Sequence, residues 1–122
     1  MSAFGDLESS EPLPIWDGLL ARAVMGEKST LAVIELDPDV AVPEHAHENE
    51  QVGVLVSGSL IFTVGGETKT LGQGETWRIL EHVPHSVISG PDGAILVESF
   101  APGRDDWKSR ERVAPRRPRW PN

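Results

Sequence analysis

The sequence predicts an all-β domain, a sandwich or barrel of short strands. Two observations predict it: β-rich segments are separated by turn signals at intervals of roughly 8–12 residues, and no segment carries a helical period. At 122 residues the chain reads as one domain, long enough to bury a core without cross-links.

Taken in order, "WDGLLARAVMG" (16–26) is ambiguous, readable as an N-terminal strand covering a sheet edge. "TLAVIEL" (30–36) alternates and is rich in branched residues, and "DPDVAVP" ends it. "EQVGVLVSG" (50–58) and "SLIFTVGG" (59–66) read as two strands joined tightly around Ser57, Gly58 and Ser59. Gly65 and Gly66 turn the chain into "ETKTLGQG" (67–74), followed by "ETWRIL" (75–80) and "EHVPHSVIS" (81–89). "GPDG" (90–93) reads as another turn and "AILVESFAP" (94–102) as the last long strand. The result is an N-terminal extension (1–29), a barrel (30–103) and a basic, proline-rich C-terminal tail (104–122).

Charge is unevenly spread. Residues 1–103 carry 4 Lys or Arg against 16 Asp or Glu, whereas residues 104–122 carry 7 against 3. The acidic body argues against a nucleic-acid partner. The prolines of "RVAPRRPRWPN" favour an extended segment pinned on that acidic body, or on a partner subunit's. There is no cysteine, which removes disulfides and thiolate metal sites. No apolar run approaches the ~20 residues of a membrane helix, and "MSAFGDLESSEPLP" has neither a basic start nor an apolar h-region. A soluble, cytoplasmic protein with no membrane partner is expected.

The chemistry concentrates in "PEHAHENEQVGVLVSG" (43–58). Residues two apart on a strand share a face, so His45 and His47 aim together, and the same parity brings in Gln51, Gly53 and Leu55 provided no bulge intervenes. A second segment, "HVPHS", supplies His82 and His85, with Pro84 fixing the backbone ahead of His85. Two imidazoles from one strand and a third from a neighbour put three nitrogen donors on one side of an ion, with positions left open for a ligand. An H-x-H pair alone also arises on an exposed rim. Here it stands in an arrangement: Gln51 follows, then Gly58, and a later G-x10-H has Pro before the His. His82 has the opposite parity to His85 and reads as a rim or supporting residue. Glu44, Glu48 and Glu50 read as solvated charges that lower the potential at the mouth.

"HAHENEQVGVLVSG" resembles the first cupin motif and "GQGETWRILEHVPHS" the second, over roughly residues 30–103. The resemblance implies a double-stranded β-helix, the small jelly-roll barrel. It also implies that His45, His47, Gln51 and His85 hold one divalent transition metal ion, with zinc, nickel, iron, manganese and copper all acceptable to that set. The commoner cupin pattern has Glu where this chain has Gln51. A neutral ligand there leaves the ion a stronger Lewis acid but a poorer partner for oxygen activation. H-x-H-x3-Q, then P-H, then "VESFAPGRDDW" (97–107) is similar to the KdgF-like cupins of pectin and alginate degradation, which convert 4,5-unsaturated monouronates into linear ketonised sugar acids. That subgroup's acidic residue, Phe, Pro and Arg fall here on Glu98, Phe100, Pro102 and Arg104. The chain departs at Glu98, where Asp is usual, and at Arg78, where an aromatic is common.

The implied substrate is a cyclic enol ether bearing a carboxylate. Opening its hemiacetal gives an aldehyde and an enol, and moving a proton to C4 gives the ketone. The ion is expected to stabilise developing negative charge. Glu98 is the expected proton carrier, on the same face as Phe100. Arg104 suits a bidentate grip on the carboxylate, and Phe100 would pack on the sugar ring. Structural roles compete at each position: Glu98 as partner of a rim arginine, Arg104 as the start of the basic tail, Trp77 as plain core. Two other classes fit the same features, another metal-dependent cupin enzyme (a dioxygenase or sugar isomerase) and a non-catalytic cupin that binds a small ligand. Gln51 argues against the dioxygenase, and the set Glu98, Phe100 and Arg104 against the sensor. The apolar alternate face of 50–58 (Val52, Val54, Val56) needs cover, which predicts a homodimer.

Overall fold

The computed structural model describes residues 2–121. Its strands are β1 (Leu13–Trp16), β2 (Leu19–Met25), β3 (Thr30–Leu36), β4 (Ala41–His45), β5 (Glu50–Val64), β6 (Glu67–Leu71), β7 (Thr76–Ile79) and β8 (His85–Ala101), followed by a 3-10 helix, Asp105–Ser109. They hydrogen-bond in the order β1-β2-β3-β8-β5-β6, with β4 on β8 and β7 on β5, and every pair is antiparallel.

The two long strands carry the architecture. The first part of β5 pairs with the second part of β8, which also pairs with β3. The second part of β5 pairs with the first part of β8, which also pairs with β4. Each long strand thus serves two layers, and the layers close over one core. Leu36, Leu55 and Leu96 enter it from one layer, Leu60, Phe62 and Val87 from the other. The product is the all-β jelly-roll barrel expected from the sequence.

Two expected turns are bends inside strands. Ser57, Gly58 and Ser59 do not make a hairpin; β5 continues through them, with irregular register between Leu55 and Ser57 and between Gly58 and Leu60. Opposite, "GPDG" is also inside β8, so that Gly90–Gly93 bulges against the single residue Ser59. Gly58 (φ 84°) and Gly93 (φ 74°) adopt left-handed backbone, and the Gly93 carbonyl occupies the space a Cβ at Gly58 would need. The glycines do mark unusual backbone. Their hydrogen-bond partners lie on the other long strand, so the chain bends from one layer into the next and does not reverse.

The packed domain also extends past the expected limits of 30 and 103. β2 completes the open edge of β3, β1 completes that of β2, and Leu13 and Ala21 lie fully buried in the core. At the other end Trp107 of the 3-10 helix is buried in the same cluster. Beyond it the tail returns along β1: Arg110 Nη2 donates to the Ile15 carbonyl and the Val113 N–H to that of Pro12. Arg119 meets Glu35 and Asp37, the acidic-body contact expected of a basic tail. Beneath it, Arg22 is fully buried and donates from Nη1 to Glu35 at 2.7 Å and from Nη2 to the Arg116 carbonyl. Among the described residues no helix is long and apolar enough to cross a membrane.

Candidate metal centre

His45 is the last residue of β4 and stands directly across the ladder from His85, the first residue of β8. Their ring centroids are 4.3 Å apart. His47 lies beyond the end of β4, in the connection to β5, so the strand parity that predicted its direction is not what aligns it. Hydrogen bonds do that: its backbone carbonyl accepts the His82 N–H at 2.7 Å, and its ring is held by Asn49. The His47 ring centroid is 4.9 Å from that of His85 and 5.7 Å from that of His45. One nitrogen from each of the three histidines lies within 4.8 Å of the others, so the cluster can hold a metal ion.

Tautomers follow from the partners. Each ring directs Nδ1 at a main-chain carbonyl at 2.9 Å: His45 at Pro43, His47 at Asn49, His85 at Val83. A carbonyl only accepts, so Nδ1 carries the proton and Nε2 keeps its lone pair in the neutral ring. The Nε2 of His85 is buried with no hydrogen-bond partner. The Nε2 of His47 lies 3.1 Å from Oε1 of Gln51, itself an acceptor. Burial lowers the His85 pKa to about 4, and burial together with the Arg104 charge lowers that of His47, so both favour the neutral, ligating form. An orphaned lone pair and a close acceptor pair are what a divalent ion with nitrogen and oxygen ligands would resolve.

The histidines open onto a cavity of about 210 Å³ that also takes in Gln51, Glu98, Phe100, Arg104 and Trp107. Glu98 stands between Ala32 of β3 and Gly53 of β5, two small neighbours. Burial raises its pKa to about 7, against the opposing pull of the Gln51 and Trp77 side chains and the Arg104 charge. Phe100 lies edge-on to His47, with centroids 6.1 Å apart. The Arg104 guanidinium lies over both Phe100, 5.0 Å to the centroid, and Trp107, 4.6 Å. Its Nε and Nη2 donate to the Asp106 carboxylate at 3.1 and 3.0 Å. Asp106 therefore takes the Nε–Nη2 edge, which leaves the outer edge of Nη1 and Nη2 toward the cavity's ligand.

All the residues singled out for metal and substrate thus share one cavity. The others fall where their competing roles put them. Trp77 packs on Phe62 in the core, with its ring over Gly53. Arg78 is exposed, opposite Val52 on the outer face. His82 sits in a turn at φ 62° and supports His47 through its backbone. Glu44, Glu48 and Glu50 are exposed. Two contributors went unread in the sequence. Trp107 follows two aspartates in what reads as tail, and Asn49 sits between two solvated glutamates, where nothing marks it as buried.

A two-layered jelly roll with three convergent imidazoles defines a cupin. The cupin domain profile matches residues 32–98, more than half of the chain, and the chain belongs to that family. It resembles the pectin degradation protein KdgF of Dickeya dadantii (strain 3937), with 28% identity over 64 residues. That match covers 52% of this chain and 58% of the relative's length. Among solved structures it is similar to an RmlC-like cupin from Shewanella frigidimarina NCIMB 400, with TM-score 0.80 and 29% identity over 87% of this chain and 96% of that one. KdgF from Halomonas sp. shares the fold at TM-score 0.78 and 20% identity, covering 87% of this chain and 98% of that one. Bacillus subtilis oxalate decarboxylase shares it at TM-score 0.72 and 20% identity, covering 93% of this chain and 34% of that one.

Proposed function

We propose that this cupin binds a divalent transition metal through His45, His47, Gln51 and His85 and converts 4,5-unsaturated monouronates into linear ketonised sugar acids. The observation that carries the reading is a buried carboxyl with a pKa of about 7, in the same cavity as three lone-pair imidazole nitrogens and a stacked arginine. The resemblance to the pectin degradation protein supports the substrate class. The bound ion would supply positive charge where an oxygen of the substrate becomes negative.

The chain's own groups supply the rest. Arg104 meets the substrate carboxylate with the outer edge of Nη1 and Nη2, and Phe100 offers its face to the ring and keeps water away. Glu98, in its carboxylate form, takes the proton of the C1 hydroxyl as the bond between C1 and the ring oxygen breaks. That leaves an aldehyde at C1 and an enolate at C5, and the proton taken up by Glu98 is the one available for C4. A proton delivered to C4 makes C5 a ketone, so the step is an isomerisation that needs no oxidant.

The cavity's apolar lining, Leu36, Val42, Phe62, Val87 and Leu96 among it, favours a second reading, another metal-dependent cupin acting on a less hydroxylated, enolisable carboxylate. The ultraviolet band of the conjugated enol ether discriminates. Metal-loaded protein should remove it from an unsaturated monouronate, and decay no faster than a metal-free control would sink the uronate reading.

Assembly as a homodimer is part of the proposal. Val24, Leu31 and Val52, exposed by 59, 44 and 40%, fall on one row across the outer face of β2, β3, β8 and β5. A second copy laying the same face against it would cover the row. Sedimentation should then give a dimer mass, and a monomer at micromolar concentration would remove this part.

A further inference from the structure

We infer that Asn49 is a positioning residue that fixes the distance between the metal-ligating imidazole of His47 and the guanidinium of Arg104. The inference rests on the reading that Arg104 grips the carboxylate of the ligand. It starts from one buried side chain with two sets of contacts. The backbone carbonyl of Asn49 accepts Nδ1 of His47 at 2.9 Å, and so sets that ring's tautomer and direction. Its side-chain Nδ2 donates to the carbonyls of Pro102 at 2.6 Å and Gly103 at 3.2 Å, the two residues just before Arg104. One residue therefore touches both halves of the site. The amide is buried, with 7% of the residue exposed, and both of its N–H groups are used.

The segment it holds has few other supports. Residues 102–104 leave the end of β8 and enter the 3-10 helix, so the ladder no longer fixes them. Locally the Gly103 carbonyl accepts the Asp105 N–H at 2.9 Å and the Arg104 carbonyl the Trp107 N–H at 3.0 Å. The other tie to a strand among the described residues is the Arg104 N–H, which donates to Thr30 Oγ1 at 2.9 Å from the opposite side. Asn49 and Thr30 thus bracket the backbone from which the Arg104 side chain departs. Asp106, Phe100 and Trp107 then fix its direction. An aspartate at 49 would have no protons to offer the two carbonyls, and an alanine would leave that of Pro102 bare and that of Gly103 with the Asp105 N–H alone. Either change leaves the bond from the His47 ring to the backbone carbonyl in place, so metal binding and Arg104 placement separate.

The test uses Asn49→Ala and Thr30→Val, each alone and combined with Arg104→Ala, on metal-loaded protein. Three quantities are read: metal per chain, the Arg104 Nε–H resonance with its solvent-exchange rate, and kcat and KM for an unsaturated monouronate. Both single variants should keep one metal per chain. Both should shift the Arg104 resonance and speed its exchange. KM should rise roughly 5–30-fold with kcat less affected, the size expected for one or two lost hydrogen bonds at a positioned group. In the Arg104→Ala background neither change should raise KM further, because the group being positioned is gone. An unmoved Arg104 resonance in both variants overturns the inference. So does metal loss in Asn49→Ala, or a KM effect that persists without Arg104. Failure of the wild type to consume uronate defeats the proposed reaction alone, since the resonance is read without substrate.

Discussion

Nε2 of His47 and Oε1 of Gln51 face each other at 3.1 Å, acceptor to acceptor, because the only proton on the neutral His47 ring is held by the Asn49 carbonyl. A divalent cation, if His47 and Gln51 hold one, would replace this repulsion with attraction to both donors.

Replacing His47 with Ala should therefore abolish stoichiometric metal while leaving the barrel folded. The core of Leu36, Leu55, Leu60, Phe62 and Leu96 does not depend on the ion. Elemental analysis beside circular dichroism checks both halves, and full occupancy in the variant would count against this ligand set.

Gln51→Glu adds a carboxylate at the same reach. Metal should be kept or held more tightly, and turnover should fall because the ion becomes a weaker Lewis acid. The new charge also faces Glu98 and should push that carboxyl further up, moving the pH profile in the alkaline direction. Turnover equal to or above wild type would show that the neutral ligand does not tune the chemistry.

Glu98→Gln should lower kcat by about 10²–10⁴-fold with little change in KM, the usual contribution of a positioned acid–base group. The wild-type profile should show a limb at or below pH 7, since a bound cation pulls the Glu98 pKa down from about 7, and the variant should lack it.

The same residue makes a second, metal-free prediction. The folded protein holds the Glu98 proton to about pH 7, whereas the unfolded chain releases it near the ordinary value of 4.5. The folded state thus binds more protons between those values, and stability falls as pH rises through them. Glu98→Gln should remove that loss and stabilise metal-free protein at pH 8 by on the order of 3 kcal/mol, with little effect below pH 4.5. Urea titrations at pH 4 and pH 8 check it, and equal differences at the two would refute the assignment of a raised pKa.

Away from the site, Glu35→Gln should be costly. It leaves Arg22, fully buried, without its 2.7 Å counter-charge, and gives both Arg22 and the Arg119 backbone N–H a neutral amide oxygen in place of a carboxylate. Breaking a buried pair in this way costs about 3–5 kcal/mol, which a denaturant midpoint would register readily.

The sequence by itself determined the fold class, because branched residues at alternate positions and glycine-rich breaks admit little but antiparallel strands. It also brought forward His45, His47, Gln51 and His85, at motif spacing, as candidate ligands and Glu98, Phe100 and Arg104 as candidate substrate residues, and all seven line one cavity. The tertiary structure decided what those residues do to one another. Gly58 and Gly93 announce left-handed backbone, but only the pairing of β5 with β8 makes the result a bend between layers and not a hairpin. Asn49 looks like one more solvated polar residue until the chain end of β8 is brought over it, 53 residues away. Arg104 reads as a free clamp until Asp106, two residues on, takes one edge of it. Local pattern fixes backbone type and side-chain chemistry. Burial, proton position and partner come from segments far apart in sequence, and those contacts exist only once the barrel has closed.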